Sequence, residues 1–549
     1  EANVESHARQ HSLAEGGTYD AAITERVRRM VQRDRNHPCI IAWSLGNEAG
    51  YGAVHDALAA WIRRIDPSRA VHYEGAIQLP WDAMEGGRLS AVVGPGPGGP
   101  PGGFGVVGTD LVCPMYPSIE GLETWVTQHY RDKPLVMCEY SHAMGNSNGS
   151  LSDYWALIEA HAGLQGGFIW DWVDQGLRPP PRDGDDATAA PAWGFGGDFG
   201  DEPNDADFCI NGLVWPDRTP HPAMYEHRAL ASPIAIEGYE RGRLALRSRL
   251  DHRGTDWLEL AWSVDVGGIS VQSGVLRAPN LKPQGTGSVA LKLDRKVLPR
   301  GATGQLTVRV QVRSAEPFAP KGWELGVWQT DVEGPKARRA RSPAAARSTL
   351  SLAESPRGLH AVSGTFEVLL DPESGDVREL IDHGQHLVRG PLALSFWRAP
   401  TDNDGIRLLP RSGGVLERWR AQGLDAMERH SSRPTIRQRA DGRIQVTQRS
   451  TLRAATGAII DHHRELSLGD DGALRLAEQV RVPDALEDLP RLGVHFVADG
   501  GLDQVTWLGL GPHENYRDRR AGAVLGRYDA TVDDLFTPYI LPQACGNRS

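Results

Sequence analysis

Cysteine is scarce in this sequence, and its number and spacing argue against a disulfide framework. The 549 residues include five cysteines, an odd number, and no CxxC pair. Cys39, Cys113 and Cys138 lie in or beside predicted buried strands, where cysteine behaves as a small apolar residue. The pattern argues against a disulfide framework and favours a reducing compartment. We therefore expect a cytoplasmic protein.

Long apolar runs, basic blocks and nucleotide-binding loops are also missing. No apolar run approaches the ~18 residues that a membrane helix needs. The formal net charge is −11, and basic stretches such as residues 336–341 are short. No GxGxxG or GxxxxGK(S/T) sequence opens a helix after a predicted strand. We expect no membrane partner, no nucleic-acid partner and no nucleotide site.

Two apolar stretches that end in glutamate stand out. Residues 39–50, CIIAWSLGNEAG, begin as a continuous apolar run and end in Gly46, Asn47 and Glu48; residues 134–139, PLVMCE, end in Glu139. Such runs are typical of strands buried on both faces of a parallel sheet. Since α/β folds place chemistry at the carboxyl ends of these strands, we predict a pair of catalytic carboxylates. Either glutamate alone would more often make a salt bridge or lie in a solvated loop.

The first part of the chain alternates predicted strands and helices. We predict helices at 20–33, 52–65, 121–131 and 152–162, and strands at 39–43, 70–74, 110–116, 135–139 and 167–172. This alternation indicates a partial (β/α)8 TIM barrel whose first strands are missing. Together with the β-rich remainder, it predicts a multidomain α/β plus all-β protein. A doubly wound open sheet is the alternative.

The rest of the chain has the period-two pattern of β-strands. The predicted division is a barrel at 1–228, an immunoglobulin-like β-sandwich at 229–334, a linker at 335–348 and a larger, truncated β-sandwich at 349–549. A Gly/Pro-rich insertion at 86–108 is typical of a surface loop, and we assign it no chemistry.

Several longer motifs carry a family resemblance. They are RNHPCIIAWSLGNEAGYG (35–52), PLVMCEYSHAMGNS (134–147), GGFIWDWVDQ (166–175), GGDFGDEPNDADFCINGL (196–213), RTPHP (218–222), WRAPTDNDG (397–405) and GLGPHENY (509–516). Over nearly the whole chain the sequence resembles the large β-galactosidases of glycoside hydrolase family 2. The resemblance implies a fragment lacking both ends of its parent, with the last domain similar to the family's small chain.

The resemblance also implies a mechanism. Retaining glycosidases need two carboxyl groups ~5–5.5 Å apart. Glu139 matches the family's nucleophile and Glu48 its acid/base, while Asn47 would hold the sugar 2-hydroxyl. The expected substrate is a terminal β-galactoside such as lactose.

Further site residues follow from the same resemblance. Tyr116, His142, Trp170 and, less directly, Asn204 match substrate-side residues. A tryptophan ring suits stacking on a sugar face. Core packing is the alternative role for Trp170 and Tyr116.

Two metal ions are implied as well. Glu5, His7 and Glu48 match the ligands of Mg²⁺, a hard cation that prefers oxygen ligands. Phe208, through its carbonyl, and Asn211 match a Na⁺ site.

Two rival functions remain open at this point. One is the same mechanism on another β-glycoside, a glucuronide or a mannoside. The other is a non-catalytic carbohydrate-binding protein. By the resemblance we expect the parent to form a homo-oligomer. A barrel without its first strands has unpaired edges, so we expect the fragment alone to be unstable and inactive.

Overall fold

A computed structural model describes residues 1–6, 11–77, 108–129, 133–180, 193–336, 350–406, 414–439, 442–469 and 473–548. Almost all of the predicted loop at 86–108 and most of the predicted linker at 335–348 lie outside these residues. The chain divides into two compact units. Unit 1 contains Glu1–Ala231 and Arg517–Gly522, and unit 2 contains Ser232–Tyr516 and Ala523–Ser549.

Unit 1 alternates helices with parallel strands. Its helices are α1 (Asp20–Asp34), α2 (Ala53–Ile65), α3 (Ile119–Thr124), α4 (Leu151–Ala160) and α5 (Pro222–Leu230). Its strands are β1 (Ala42–Ser44), β2 (Ala70–His72), β3 (Leu135–Tyr140) and β4 (Leu164–Ile169). The apolar face predicted for α1 is confirmed, because Ile23, Val27, Met30 and Val31 are its buried residues.

The strands of unit 1 follow one another in a parallel order. Strand β1 pairs with β2, and β3 pairs with β4. Residues 110–116 lie between β2 and β3: the Asp110 N–H donates to the Val71 carbonyl at 2.8 Å, and Val112 and Met115 form parallel bridges to Leu135 and Glu139. On the other side of β1, Glu5 forms a parallel bridge to Asn47.

Four predicted strands differ from the structure. The strand predicted at 39–43 is Ala42–Ser44, and the strand predicted at 70–74 ends at His72. Residues 110–116 form isolated bridges rather than a continuous strand. The strand predicted at 167–172 is instead Leu164–Ile169. It ends early because the Trp170 carbonyl accepts the Ala143 N–H at 2.7 Å and the Asp171 N–H donates to the Asn211 carbonyl at 2.9 Å, so both leave the strand ladder.

Two apolar clusters hold unit 1 together. The first joins α1 and α2 to β1 and β2, and it includes Trp43, Val71 and Tyr73. The second surrounds β3 and β4 and includes Met137 and Leu151. Burying one large side chain of this kind stabilises a fold by roughly 2 kcal/mol. These clusters fix the strand ends that carry the two predicted catalytic glutamates.

The segment Arg517–Gly522 belongs to unit 1 although the chain on either side belongs to unit 2. The Asp518 carbonyl accepts the Ser150 N–H at 2.8 Å, and the Gly522 N–H donates to the Glu226 carboxylate at 3.0 Å. The Arg519 side chain is 3% exposed. Its guanidinium donates to the Asn146 side chain at 2.6 Å and to the Ser147 carbonyl at 2.5 Å.

The first part of unit 2 consists of two antiparallel sheets. Their strands are β5 (Ile234–Glu240), β6 (Arg243–Ser248), β7 (Leu258–Val266), β8 (Ile269–Arg277), β9 (Thr286–Ala290), β10 (Thr303–Val312) and β11 (Glu324–Glu333). One sheet has the order β5-β6-β9 and the other β11-β10-β7-β8. Both sheets contribute to one apolar core, with Leu244 and Leu246 from β6 and Leu260 and Val308 from β7 and β10. The predicted period-two pattern is confirmed here.

The second part of unit 2 is also mostly antiparallel sheet. Its strands are β12 (Ser351–Ser355), β13 (Gly358–Ser363), β14 (Phe366–Leu370), β15 (Val377–Asp382), β16 (Gln385–Arg389), β17 (Ala393–Ser395), β18 (Glu428–Ser431), β19 (Thr435–Gln438), β20 (Ile444–Arg453), β21 (Ile459–Leu468), β22 (Leu474–Arg481), β23 (Gly493–His495), β24 (Gln504–Gly511) and β25 (Val524–Thr531). The α-helix α6 (Val415–Gln422) lies between β17 and β18 in the sequence. The sheets β12–β16 and β18–β22 share a core that includes Val368, Ile444 and Leu466.

All five cysteines are free thiols. Within the described part of the chain, no helix combines the length and the apolar character that spanning a membrane requires.

Candidate active site

The backbone after β1 turns sharply to present Glu48. Gly46 has φ +146°, and a Cβ there would lie 2.6 Å from the Val4 carbonyl oxygen, so only glycine fits. Glu48 itself has φ +45°. A residue with a side chain in this left-handed region costs roughly 1 kcal/mol, and such strain persists where neighbouring contacts fix the chain.

The Glu48 backbone has an acidic partner at the end of the neighbouring strand. The Glu48 N–H donates to a side-chain carboxyl oxygen of Glu74 at 2.6 Å. Glu74 is 8% exposed, and its burial raises its pKa to about 8. The side chain therefore lies against the Glu48 peptide rather than in solvent.

Glu139, in β3, is held through its side chain. The Tyr116 hydroxyl donates to the Glu139 carboxylate at 2.8 Å. Burial raises the pKa of Glu139 to about 7; the Tyr116 hydrogen bond opposes this, and the charge of Glu48 adds to it. Burial also raises the pKa of Tyr116, so the phenol is a neutral donor. The neighbouring charges that raise the pKa of Glu139 are those of Glu48, Glu1 and Glu5. A salt bridge would instead place a cation beside Glu139 and lower its pKa, so these charges argue against a salt-bridge role.

Three rings lie in a row beside Glu139. The ring centroid of His142 lies 6.1 Å from that of Tyr116 and 6.1 Å from that of Phe208. The Trp170 backbone lies beside the residue that follows His142, because its carbonyl accepts the Ala143 N–H at 2.7 Å. The structure therefore brings Tyr116, His142 and Trp170 to the strand end that carries Glu139.

The loop at 141–150, which follows Glu139, is tied to itself and to a distant segment. The Ser147 hydroxyl donates to the His142 carbonyl, and the Asn148 side-chain amide donates to the Ser141 hydroxyl at 3.2 Å. Arg519 binds the same loop through Asn146 and Ser147. These hydrogen bonds fix the backbone of the loop that carries His142.

The remaining predicted site residues have different positions. Asn204 is exposed and bonds within its own loop, to the Asp201 carbonyl at 2.9 Å and the Ala206 N–H at 3.1 Å. No described contact joins its side chain to either glutamate. Asn211 is 3% exposed, and within the described part of the chain its side-chain oxygen has no hydrogen-bond partner. The Phe208 ring is 53% exposed.

The predicted magnesium ligands are only partly described. Glu5 lies beside the end of β1 through its bridge to Asn47, and its charge acts on Glu139 together with that of Glu48. His7 lies outside the described residues. Among the described residues, no three His, Cys, Asp or Glu side chains are grouped as metal ligands.

Sequence reasoning gave no role to two residues at this site. Glu74 ended a predicted strand, as Glu48 and Glu139 did, and that shared position was a usable signal. Arg519 had no such signal, because it contacts residues more than 370 positions away in the sequence. A buried pair, Asp174 with His221 at 2.9 Å, was also unassigned.

Chemically, the site presents two carboxyl groups at the ends of parallel strands. Each feels the charge of the other, since Glu48 raises the pKa of Glu139. One carboxylate is oriented by a neutral phenol, as a nucleophile requires, and the other sits on a fixed backbone turn. This arrangement can attack an electrophilic carbon with one group and transfer a proton with the other.

Three family descriptions match successive parts of the chain. "Glycosyl hydrolases family 2, TIM barrel domain" matches residues 1–236. "Beta-galactosidase, domain 4" matches residues 244–333, and "Beta galactosidase small chain" matches residues 362–549.

Curated relatives match the whole chain. A "Beta-galactosidase" of Klebsiella pneumoniae (strain 342) is 36% identical over 567 residues, which is 100% of this chain and 51% of the relative. A "Beta-galactosidase" of Aeromonas hydrophila is 36% identical over 571 residues, 100% of this chain and 52% of the relative. The chain thus spans about half the length of the curated relatives it matches. Among solved structures, a Parabacteroides merdae β-glucuronidase is 14% identical to this chain, with a TM-score of 0.26. The match covers 84% of this chain and 52% of the glucuronidase.

Proposed function

The chain belongs to glycosyl hydrolase family 2, and from this premise we propose that it carries the catalytic pair of a retaining β-galactosidase. The observation that carries the proposal is the Glu139 carboxylate, which accepts the Tyr116 hydroxyl at 2.8 Å at the end of a parallel strand. The matched relatives bear the name β-galactosidase along the full length of this chain, which supports galactosides as substrates.

Each carboxyl group has its own role in the proposed reaction. The Glu139 carboxylate attacks the anomeric carbon, and the bond from that carbon to the leaving oxygen breaks. The Glu48 carboxyl donates its proton to this oxygen, so the aglycone leaves as an alcohol. Glu48 then takes a proton from water, whose oxygen attacks the anomeric carbon and releases galactose from Glu139.

The proposed sugar contacts surround Glu139. Tyr116 orients the nucleophile, and His142 and Trp170 would contact the sugar from the same side. Asn47 would bind the 2-hydroxyl, and Asn204 belongs to the proposed site by motif alone. The long motif at 196–213 favours a galactoside such as lactose over a glucuronide or a mannoside.

We propose the two metal ions as residents of the same unit. Among the residues that the structure describes, the buried Asn211 side-chain oxygen has no hydrogen-bond partner, which fits a Na⁺ ligand, with the Phe208 carbonyl as a second. Glu5, Glu48 and His7 would hold Mg²⁺, a donor set that suits a hard cation. When bound, Mg²⁺ supplies positive charge beside the acid/base.

We also propose that the parent protein is cytoplasmic and forms a homo-oligomer. Its domains in this chain would be a TIM barrel, an immunoglobulin-like sandwich and a small-chain-like sandwich.

Covalent trapping tests the proposal. The protein at its natural length is treated with 2-deoxy-2-fluoro-galactosyl fluoride, digested, and mapped by mass spectrometry. A galactosyl adduct on Glu139 is expected, and Glu123→Gln, at an exposed position, serves as a control variant that still labels. Turnover of galactosides with the label on another residue would refute the assignment. A parallel panel of nitrophenyl glycosides separates galactoside, glucuronide and mannoside, and absence of any turnover would favour a carbohydrate-binding protein.

A further inference from the structure

The turn that carries Glu48 is enclosed by three consecutive residues of the neighbouring strand end. A side-chain carboxyl oxygen of Glu74 accepts the Glu48 N–H at 2.6 Å. The Tyr73 hydroxyl donates to the Gly50 carbonyl. A Cβ at position 75 would lie 2.7 Å from the Gly50 carbonyl oxygen, so glycine permits this close approach. Residues 73–75 therefore fix both ends of the turn at 48–50.

The enclosing residues are themselves rigid. The Tyr73 ring is fully buried and stacks on His55 with centroids 4.5 Å apart and an interplanar angle of 10°. His55 in turn accepts the Gly52 N–H at 3.1 Å, at the start of α2. The contacts on Glu48 thus come from an anchored surface rather than from a mobile loop.

The turn needs such support because of its backbone conformation. Glu48 has φ +45° and Gly50 has φ +74°. Glycine adopts this left-handed region freely, whereas a glutamate does so when its surroundings impose it. The hydrogen bond from the Glu48 N–H to Glu74 is a direct contact on the strained peptide, and it orients the residue whose side chain transfers the proton.

We infer that Glu74 is a positioning residue for Glu48, holding the acid/base in its left-handed turn by accepting its backbone N–H. The inference rests on the proposed function, since it assigns a support to the acid/base of that reaction. Glu74 acts through an acceptor oxygen, so glutamine keeps the function and an apolar side chain of similar size loses it.

Leaving-group dependence separates this role from a general loss of structure. A general acid speeds the departure of a basic aglycone and contributes little when the aglycone is already a good leaving group. We compare Glu74→Met, which removes the acceptor, with Glu74→Gln, which keeps it. The substrates are lactose and 2,4-dinitrophenyl β-galactoside, with the protein at its natural length in Mg²⁺ and Na⁺.

We expect Glu74→Met to lower kcat/KM for lactose by about 100-fold, within the range that general acid catalysis supplies. The same variant should keep kcat/KM for the dinitrophenyl substrate within about threefold, and added azide, which needs no general base, should raise its turnover. Glu74→Gln should stay close to wild type on both substrates.

Equal losses on both substrates, or a Glu74→Gln variant as impaired as Glu74→Met, would overturn the inference. If Glu74→Met does not fold, Tyr73→Phe is measured in its place. This change removes the hydroxyl that donates to the Gly50 carbonyl, and it should lower kcat/KM for lactose more than kcat/KM for the dinitrophenyl substrate. Equal losses of the Tyr73→Phe variant on the two substrates would also overturn the inference. A wild-type protein that cleaves no galactoside would instead refute the proposed function.

Discussion

The two glutamate-bearing strand ends of unit 1 are held in different ways. Glu48 is held at its backbone, by a partner 26 positions later in the sequence. Glu139 is held at its carboxylate by Tyr116, 23 positions earlier, while the loop behind it is bound by Arg519, 372 positions after Ser147. The end that carries Glu139 therefore also depends on a distant part of the chain.

This difference matches the tasks we propose for the two residues. A nucleophile must keep its carboxylate aimed at one carbon, so a hydrogen bond to the carboxylate itself is useful. An acid/base must bind a proton and release it within one turnover, and a hydrogen bond to its backbone N–H positions the residue without using the carboxyl group. The following experiments challenge this comparison, starting with the largest expected effect.

Replacing the nucleophile should have the largest effect. Glu139→Gln removes the attacking oxygen while keeping the size of the side chain, and we expect kcat/KM to fall roughly 10⁴- to 10⁶-fold on every galactoside, dinitrophenyl galactoside included. Initial rates with the two substrates measure this. Glu123→Gln, on exposed helix surface, is the matched control. Substantial activity of Glu139→Gln on the activated substrate would contradict the assignment.

Replacing the acid/base should have a smaller and more selective effect. Glu48→Gln cannot donate a proton, so we expect kcat/KM for lactose to fall about 10²- to 10⁴-fold. The dinitrophenyl substrate should be much less affected, and azide should accelerate its turnover. If Glu48→Gln and Glu139→Gln lose the same factor on both substrates, the proposed division of roles is wrong.

Removing the phenol beside Glu139 should shift the pH profile. Burial raises the pKa of Glu139 to about 7, and the Tyr116 hydrogen bond lowers it by stabilising the charged form. The nucleophile acts ionised, so kcat/KM falls as the pH drops through this pKa. Tyr116→Phe should therefore move the acid limb upward by about one pH unit and reduce activity near neutrality by about fivefold. A downward shift, measured by kcat/KM against pH, would contradict this.

Removing the distant support should mainly affect stability. Arg519→Met leaves the Asn146 side chain and the Ser147 carbonyl without this donor, at a cost of about 2 kcal/mol in the free energy of unfolding. We expect a lower Tm and a modest loss of kcat/KM, because the loop bearing His142 loosens. Arg520→Met, exposed and adjacent, is the control and should change neither. If both variants lower the free energy of unfolding equally, Arg519 is not a specific support of the loop at 141–150.

Local patterns predicted much of unit 1. The apolar runs before Glu48 and Glu139 indicated buried strands with polar ends, and the period of α1 indicated its buried face. Strand β3 and helix α1 confirm these predictions. The strand predicted at 39–43 is only partly confirmed, because β1 is Ala42–Ser44 and the preceding Cys39 and Ile41 are exposed. These predictions succeed because the hydrophobic effect imposes a short sequence period on each element. The positive φ at Glu48 was not predictable, since it results from tertiary contacts with residues 73–75.

Other features had no local signal. Arg519 lies between polar neighbours, and nothing in its surroundings marks it as buried against residues near position 146. Asn204 was predicted from its motif as a substrate-side residue, while the structure shows its amide bonded within its own loop. A motif gives residue identity, but side-chain direction depends on the packing of the whole unit.

The Arg517–Gly522 segment has a consequence for biosynthesis. Unit 1 holds the first 231 residues, yet Asn146 and Ser147 gain their Arg519 contacts only after position 519 has left the ribosome. At ~5–20 residues per second, the intervening 372 residues take roughly 20 to 75 s to synthesise. During that interval the loop behind the nucleophile waits without its permanent support. The nascent chain therefore passes through a stage in which its catalytic strands exist but one of their clamps has not been translated.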